Sequence, residues 1–416
     1  MPFLIDPNRF KEDFDALAQI GSTGDGGVNR PALSESHLEA RRWFLARAAE
    51  AGLETRIDSA GNHSAILRSP DPHAQTLLLG SHTDSVPNGG RFDGALGVLA
   101  ALEVVRMLKD AGLILPVHLE AIDFTDEEGT LVGLLGSSAI AGQLSAEALK
   151  SSHGGRAALE ADLARAGLTE AGLLSARRDP RSCAGYLELH IEQGPRLVDD
   201  GLAIGIVTGI VGIRSFRLAY RGQANHAGTT PMEMRRDASL GASAFVLAAR
   251  DLVLGDFAKH GCVVNVGQMN FKPGAFNVIP GIAEFSLEFR APEAKQLVEL
   301  ESALLKLAET AGGQYGLTLD VEAAGSCAPR PMSGRAQAAI AAAAESLGLP
   351  HTSLASGAGH DAQSLAALTD AGMIFVPSHE GISHSPLEFT EWRDCVDGAN
   401  TLLRATLTMA EGMDHQ

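Results

Sequence analysis

Four short stretches hold side chains that can do chemistry, each set among residues that favour turns or buried strands. GSHTDSVPNGGRFDG (80–94) carries His82, Asp84 and Asp93, and FTDEEG (124–129) carries Glu127 and Glu128. ELHIEQGP (188–195) carries His190, and GISHSP (381–386) carries His384. Singly, each has a plain reading: a surface triplet, a solvated acidic turn, a satisfied core histidine, a loop residue. Together, His82, Asp93, Glu128, His190 and His384 meet the needs of a two-cation site, about three ligands per ion with one carboxylate, Asp93, shared. Nitrogen and oxygen donors without sulfur suit Zn, Mn, Co or Ni better than Ca or Mg. Asp84, two residues beyond His82, lies on the same face of an extended segment and can take the second imidazole nitrogen. Of the adjacent acids, one can bind a cation while Glu127 takes a proton from water.

These residues need a scaffold that brings loop ends together. Residues 34–52 read as a helix, capped by Ser34 or Ser36 and ended by Gly52. TLLLG (76–80) is the fully apolar strand of a parallel sheet covered on both faces. Ala95–Leu108 is a helix with almost no polar face, and VHLEAIDF (117–124) is the next strand. Strand, helix and strand make a βαβ unit, whose catalytic loops follow the carboxyl ends of strands. Both acidic stretches therefore belong at one edge of the sheet. Residues 141–182 read as helical. From about residue 212 the pattern alternates: 213–222, 262–269 and 282–290 read as strands apolar on one face, with helices at 237–253 and 293–312 to cover it. The fold class expected is α/β: a mixed sheet flanked by helices carrying the two-metal site (1–211 and 328–416). An inserted α+β domain (212–327) has an antiparallel sheet and two helices.

The net charge is −18, with 45% hydrophobic residues, which argues against nucleic-acid or anionic-membrane partners. Cys183, Cys262, Cys327 and Cys395 stand apart with no C-x-x-C pair, so thiolate metal sites are not expected and a reducing cytoplasm is. The first residues lack the apolar core of a signal peptide, and no run is expected to reach the ~18 apolar residues of a membrane span.

In this order, these stretches together with NHAGTTPMEMRRDA (225–238) and GAGHDAQ (357–363) resemble the M20 family of metallohydrolases. Within it they are similar to the branch of N-carbamoyl-L-amino-acid hydrolases, allantoate amidohydrolases and β-ureidopropionases. The resemblance implies two divalent ions, one on His82, Asp93 and His190, the other on Asp93, Glu128 and His384. It implies Asp84 as the orienter of His82 and Glu127 as the general base. His190 stands where peptidase members often have an acid, which implies ureido substrates. It also implies that His226 polarises the scissile carbonyl from the partner subunit of a homodimer formed through the inserted domain, which acts as a lid. Asn277 and Arg290 would hold the substrate carboxylate, and Gln193, Gly359 and His360 would also touch substrate. A helix entry capped by Thr229 or Thr230 is a plainer reading of the turn after His226, as a helix cap is for His360–Asp361. Thr130–Gly133 departs from the Arg-then-Phe pattern common in the branch, so pocket shape there is open. The implied activity is hydrolysis of N-carbamoyl-L-amino acids to amino acid, ammonia and CO2. Allantoate and N-carbamoyl-β-alanine are rival substrates. A dipeptidase, an aminoacylase and a non-catalytic metal-binding protein are the remaining readings of the same donors.

Overall fold

The computed structural model describes residues 3–411. The chain divides into two compact units: Met1–Thr208 with Pro331–Gln416, and Gly209–Arg330.

The larger unit is built on a mixed sheet. Its strands run in the spatial order Glu54–Ile57, His63–Leu67, His118–Phe124, Thr76–His82, Cys183–Ile191, Ala371–Val376 and Ile204–Ile210. The strands His118–Phe124, Thr76–His82, Cys183–Ile191 and Ala371–Val376 are parallel neighbours; the flanking pairs are antiparallel. The central strands are apolar because helices cover both faces. The helix Ala95–Asp110 buries Leu96, Val98, Leu99, Leu102, Val105 and Leu108. Each such side chain contributes roughly 1.5–3 kcal/mol, so this helix is a firm floor under the residues at its start. Gly97 lets it lie close to the sheet: a Cβ there would come 2.3 Å from the Leu189 carbonyl oxygen. Helix Glu35–Glu50 is capped by Ser34, which accepts from the His37 amide. Residues 141–182 form only short helices, Ala146–Lys150, Arg156–Arg165 and Glu170–Ser175, with left-handed glycines at 154, 155 and 167 between them.

The smaller unit holds an antiparallel sheet ordered Met269–Lys272, Ile282–Ala291, Gly212–Arg221, Thr318–Cys327, with Val263–Asn265 also on Ile282–Ala291. Ala283, Phe285, Leu287 and Phe289 are buried in alternation, under helices Ala238–Leu252 and Ala294–Gln314. The expected strand 262–269 is two strands. Val263–Asn265 pairs with Glu288–Arg290 and Met269–Lys272 with Ile282–Phe285. The ladder breaks at Gly267, where the Ser286 hydroxyl takes the Gln268 amide. The turn after His226 is not a helix entry: Thr230 donates its hydroxyl back to the His226 carbonyl, and only a short 3-10 turn follows at Met232–Met234. Ala238–His260 is long and apolar enough, by length and composition, to cross a membrane, although Arg250, Asp251 and Asp256 keep any run in it short of 18 apolar residues. One side of it is buried on its own sheet at Ala242, Phe245 and Ala249, while Leu240, Leu247 and Leu254 are exposed.

Candidate metal centre

The expected donors meet at the carboxyl ends of the parallel strands. His82 is the last residue of one strand and His190 lies within the next; Asp93 stands just before helix Ala95–Asp110. Glu128 follows strand His118–Phe124, and His384 sits on the loop after Ala371–Val376. They form two groups, His82–Asp93–His190 and Asp93–Glu128–His384, whose ligand atoms lie within 4.8 Å of one another. Asp93 divides its oxygens between them. Oδ1 is 3.1 Å from His190 Nε2 and 3.5 Å from His82 Nε2, while Oδ2 is 3.4 Å from His384 Nε2. Glu128 lies 3.3 Å from His384 Nε2.

Tautomers are set from behind. The His82 Nδ1 is 3.1 Å from the Asp84 carbonyl oxygen and the His190 Nδ1 is 2.9 Å from the Ile191 carbonyl. Each Nδ1 donates, which turns an Nε2 lone pair toward Asp93. The Asp84 carboxylate is 3.6 Å from His82 Nδ1 and binds backbone instead, with Oδ1 accepting the Glu127 amide and Oδ2 the Glu128 amide. His82 Nε2 and Glu128 Oε1 are buried with no hydrogen-bond partner among the described residues, as expected of atoms that serve a cation. Gly94 permits the arrangement: it has φ 63°, and a Cβ there would come 2.4 Å from the His82 ring.

The donors perturb one another strongly. Burial alone would lower the His82 imidazole, but Glu127, Asp93 and Asp84 outweigh it and raise it well above the usual range. Asp93 is held well below its usual range, against burial, by His190, His384 and His82. Burial and the Asp93 charge push Glu128 up to about 7. Glu127, 3.5 Å from His82 Nε2, is raised well above the carboxylate range by burial, with Asp361, Glu128 and Asp93 adding to it against His82.

Several supports carried no sequence signal. Buried Arg30 donates to the Thr83 carbonyl, and buried Arg41 to the carbonyls of Gly61 and Phe124, pairing also with Asp123. Asp126 accepts the amides of Leu131, Val132 and Gly133, and so organises the departing Thr130–Gly133 loop. Glu388 accepts the amides of Phe92 and Asp93. Asp361 begins helix Asp361–Leu365 and is fully buried, with Ser137 and Glu188 near it.

The remaining expected residues fall in distinct places. Gln193 donates to Asp93 Oδ2 at 2.7 Å. His360 is buried edge-on against His190 and pairs with the Ser356 hydroxyl; Gly359 precedes it. In the smaller unit His226 is exposed on a two-residue strand that pairs with Val278, and Ala227 donates to the Asn277 carbonyl. Arg290 pairs with Glu288 near the far end of strand Ile282–Ala291.

Residues 78–408 match the family described as Peptidase family M20/M25/M40. The chain belongs to this family. It is 37% identical over 412 residues to an N-carbamoyl-L-amino acid amidohydrolase of Geobacillus stearothermophilus, covering 98% of this chain and 100% of that one. It is 33% identical over 400 residues to an allantoate amidohydrolase of Bacillus subtilis, covering 95% and 96%. A hydantoinase/carbamoylase family amidase from Burkholderia multivorans superposes with a TM-score of 0.90 at 36% identity, covering 98% of each chain. M20 membership and the clustered donors together point to divalent-metal binding.

Proposed function

We propose that this M20 protein hydrolyses the carbamoyl C–N bond of N-carbamoyl-L-amino acids, using two divalent ions drawn from Zn, Mn, Co and Ni. The carrying observation is the pair of donor groups that share Asp93, with Glu127 against His82 beside them. The name of the Geobacillus stearothermophilus relative supports the substrate class, and that of the Bacillus subtilis relative keeps allantoate as its rival. Bound cations supply Lewis-acid charge and make water acidic enough to ionise near neutral pH.

The protein's own part begins with Glu127, which takes the proton of the attacking water and returns it to the leaving amino nitrogen. The C–N bond breaks to give amino acid and carbamate, and carbamate decomposes to ammonia and CO2. Asp84 holds the Glu127 and Glu128 amides so that base and donor keep their places. His226 donates to the carbonyl oxygen as charge develops there. Asn277 and the Arg290 fork hold the substrate carboxylate. Gln193 supplies an amide donor beside Asp93, and Gly359 and His360 also touch substrate, with His360 edge-on against His190.

This reading calls for a homodimer. Arg290 lies eight residues along the strand from Ile282, about 26 Å at ~3.3 Å per residue, whereas the His226 ribbon joins the sheet at the Ile282 end. A small substrate held by both groups therefore takes them from two copies. The exposed Leu240, Leu247 and Leu254 of the inserted lid domain, which we bound at 212–327, give a second copy an apolar surface. A reducing cytoplasm suits the buried thiols Cys183, Cys262 and Cys395.

The test is ammonia release by protein stripped and reloaded with each metal, against N-carbamoyl-L-amino acids, N-carbamoyl-β-alanine, allantoate and a dipeptide. Metal-dependent ammonia from the first class supports the proposal. Release from allantoate or N-carbamoyl-β-alanine alone would reassign the substrate within the branch, and dipeptide cleavage without ammonia would overturn the carbamoyl chemistry.

A further inference from the structure

Two donors of one group, Asp93 and His384, stand on loops far apart in sequence, and one buried carboxylate ties those loops together. Glu388 is 4% exposed. Its Oε1 accepts the amides of Phe92 at 2.9 Å and Asp93 at 3.0 Å, and its Oε2 lies 2.9 Å from the Ser383 hydroxyl. Gly90 leaves room for it: a Cβ there would come 2.0 Å from the Glu388 carboxyl carbon.

Ser383 has a choice. Its Oγ is 2.9 Å from Glu388 Oε2 and 3.0 Å from Asp93 Oδ2, and it has one hydrogen to give. Given to Asp93, that hydrogen occupies a lone pair of the oxygen that faces His384 and Glu128. Given to Glu388, it leaves Asp93 Oδ2, which already accepts from Gln193 Nε2 at 2.7 Å, its second lone pair for a cation. We propose that Glu388 is a positioning residue that keeps the Ser383 hydrogen off Asp93 Oδ2 and thereby sets cation affinity at the Asp93–Glu128–His384 group. The proposal rests on the reading of that group as a metal site.

A glutamine at 388 reverses the bond. Its carbonyl oxygen can keep the Phe92 and Asp93 amides, while its NH2 donates to Ser383 and leaves the serine hydrogen directed at Asp93. Removing the serine hydroxyl then removes the competitor. Mn2+ binding to the full chain, by equilibrium dialysis and metal analysis, is compared for the parent, Glu388→Gln, Ser383→Ala and the double variant. Glu388→Gln is expected to bind one ion as the parent does and the other ten- to a hundred-fold more weakly, in line with losses at other outer-shell partners. Ser383→Ala and the double variant are expected within threefold of the parent. If Glu388→Gln does not fold, Glu388→Asp, which withdraws the acceptor from Ser383 and keeps the charge, carries the same expectation.

Two Mn2+ bound by Glu388→Gln as tightly as by the parent overturns the proposal. So does a double variant as weak as Glu388→Gln, because the serine hydrogen is then not the competitor. A parent that binds no Mn2+ overturns the metal-site reading itself, and the proposal with it.

Discussion

Replacing Asp84 by Asn tests whether the site depends on a carboxylate behind its base. Asp84 accepts two backbone amides, from Glu127 at 3.3 Å and Glu128 at 3.2 Å, one on each oxygen. An asparagine of the same shape has one acceptor, so its NH2 must face one of those N–H groups. Leaving a buried amide without its charged acceptor costs roughly 1–3 kcal/mol. A net loss of about 2–3 kcal/mol in placing Glu127 and Glu128 corresponds to ~30- to 150-fold in kcat/KM. Stability should change less than activity, because the cost of the orphaned amide is partly offset by relieved repulsion. Asp84 adds to the crowding that raises Asp126 and Glu128, behind burial in both cases, so removing its charge relieves repulsion. The assay is kcat/KM on an N-carbamoyl-L-amino acid, with thermal unfolding in chelator alongside. The expected pair is a large kinetic loss and an unfolding midpoint within about 10 °C of the parent. A kcat/KM within threefold of the parent would refute the reasoning, as would a midpoint lowered by more than about 10 °C, a drop too large for a site defect of this size.

Gly94→Ala should bind neither cation normally, since its Cβ would meet the His82 ring and its backbone has φ 63°. Metal analysis after dialysis checks this, and two ions held at parental affinity would contradict it. Stability should fall with acid through a group away from the donors. Burial lowers His63 from 6.5 to about 3, so between those values the unfolded chain binds the proton and the folded chain does not. Its contribution, at most about 4–5 kcal/mol, is therefore complete above pH 6.5 and lost progressively as the pH falls toward 3. Unfolding midpoints between pH 7 and 4 should slope less steeply in His63→Asn, and equal slopes would remove His63 from this role.

The sequence reveals the donors because their residue types are costly where they stand. A histidine inside LELHI, or paired acids ending an apolar strand, demands a partner. Its apolar runs mark the central strands, and the alternation from Ala283 to Phe289 marks the one-sided sheet of the smaller unit. What it hides is tertiary. Arg30 and Arg41 look like surface cations in sequence, yet both are buried and hold carbonyls beside the donors. Glu388 contacts residues nearly 300 positions away, and no local pattern separates it from a solvated acid. Asp126 is overshadowed in sequence by its neighbours Glu127 and Glu128, although its hydrogen bonds shape the one loop that departs from the family pattern. The expected helix at 237–253 does cover its sheet, while the outward apolar residues Leu240, Leu247 and Leu254 carry no local sign of what they face.

The central claim is that Glu127 moves the proton at a metal centre it does not itself build. Glu127→Gln keeps the shape and removes the base. Metal content and ammonia release from an N-carbamoyl-L-amino acid should be measured on the same reloaded samples of parent and variant. The account predicts two cations per chain in both and a loss of 10²–10⁴-fold in kcat for the variant, the range of general-base catalysis. Near-parental turnover by a fully loaded variant would contradict it.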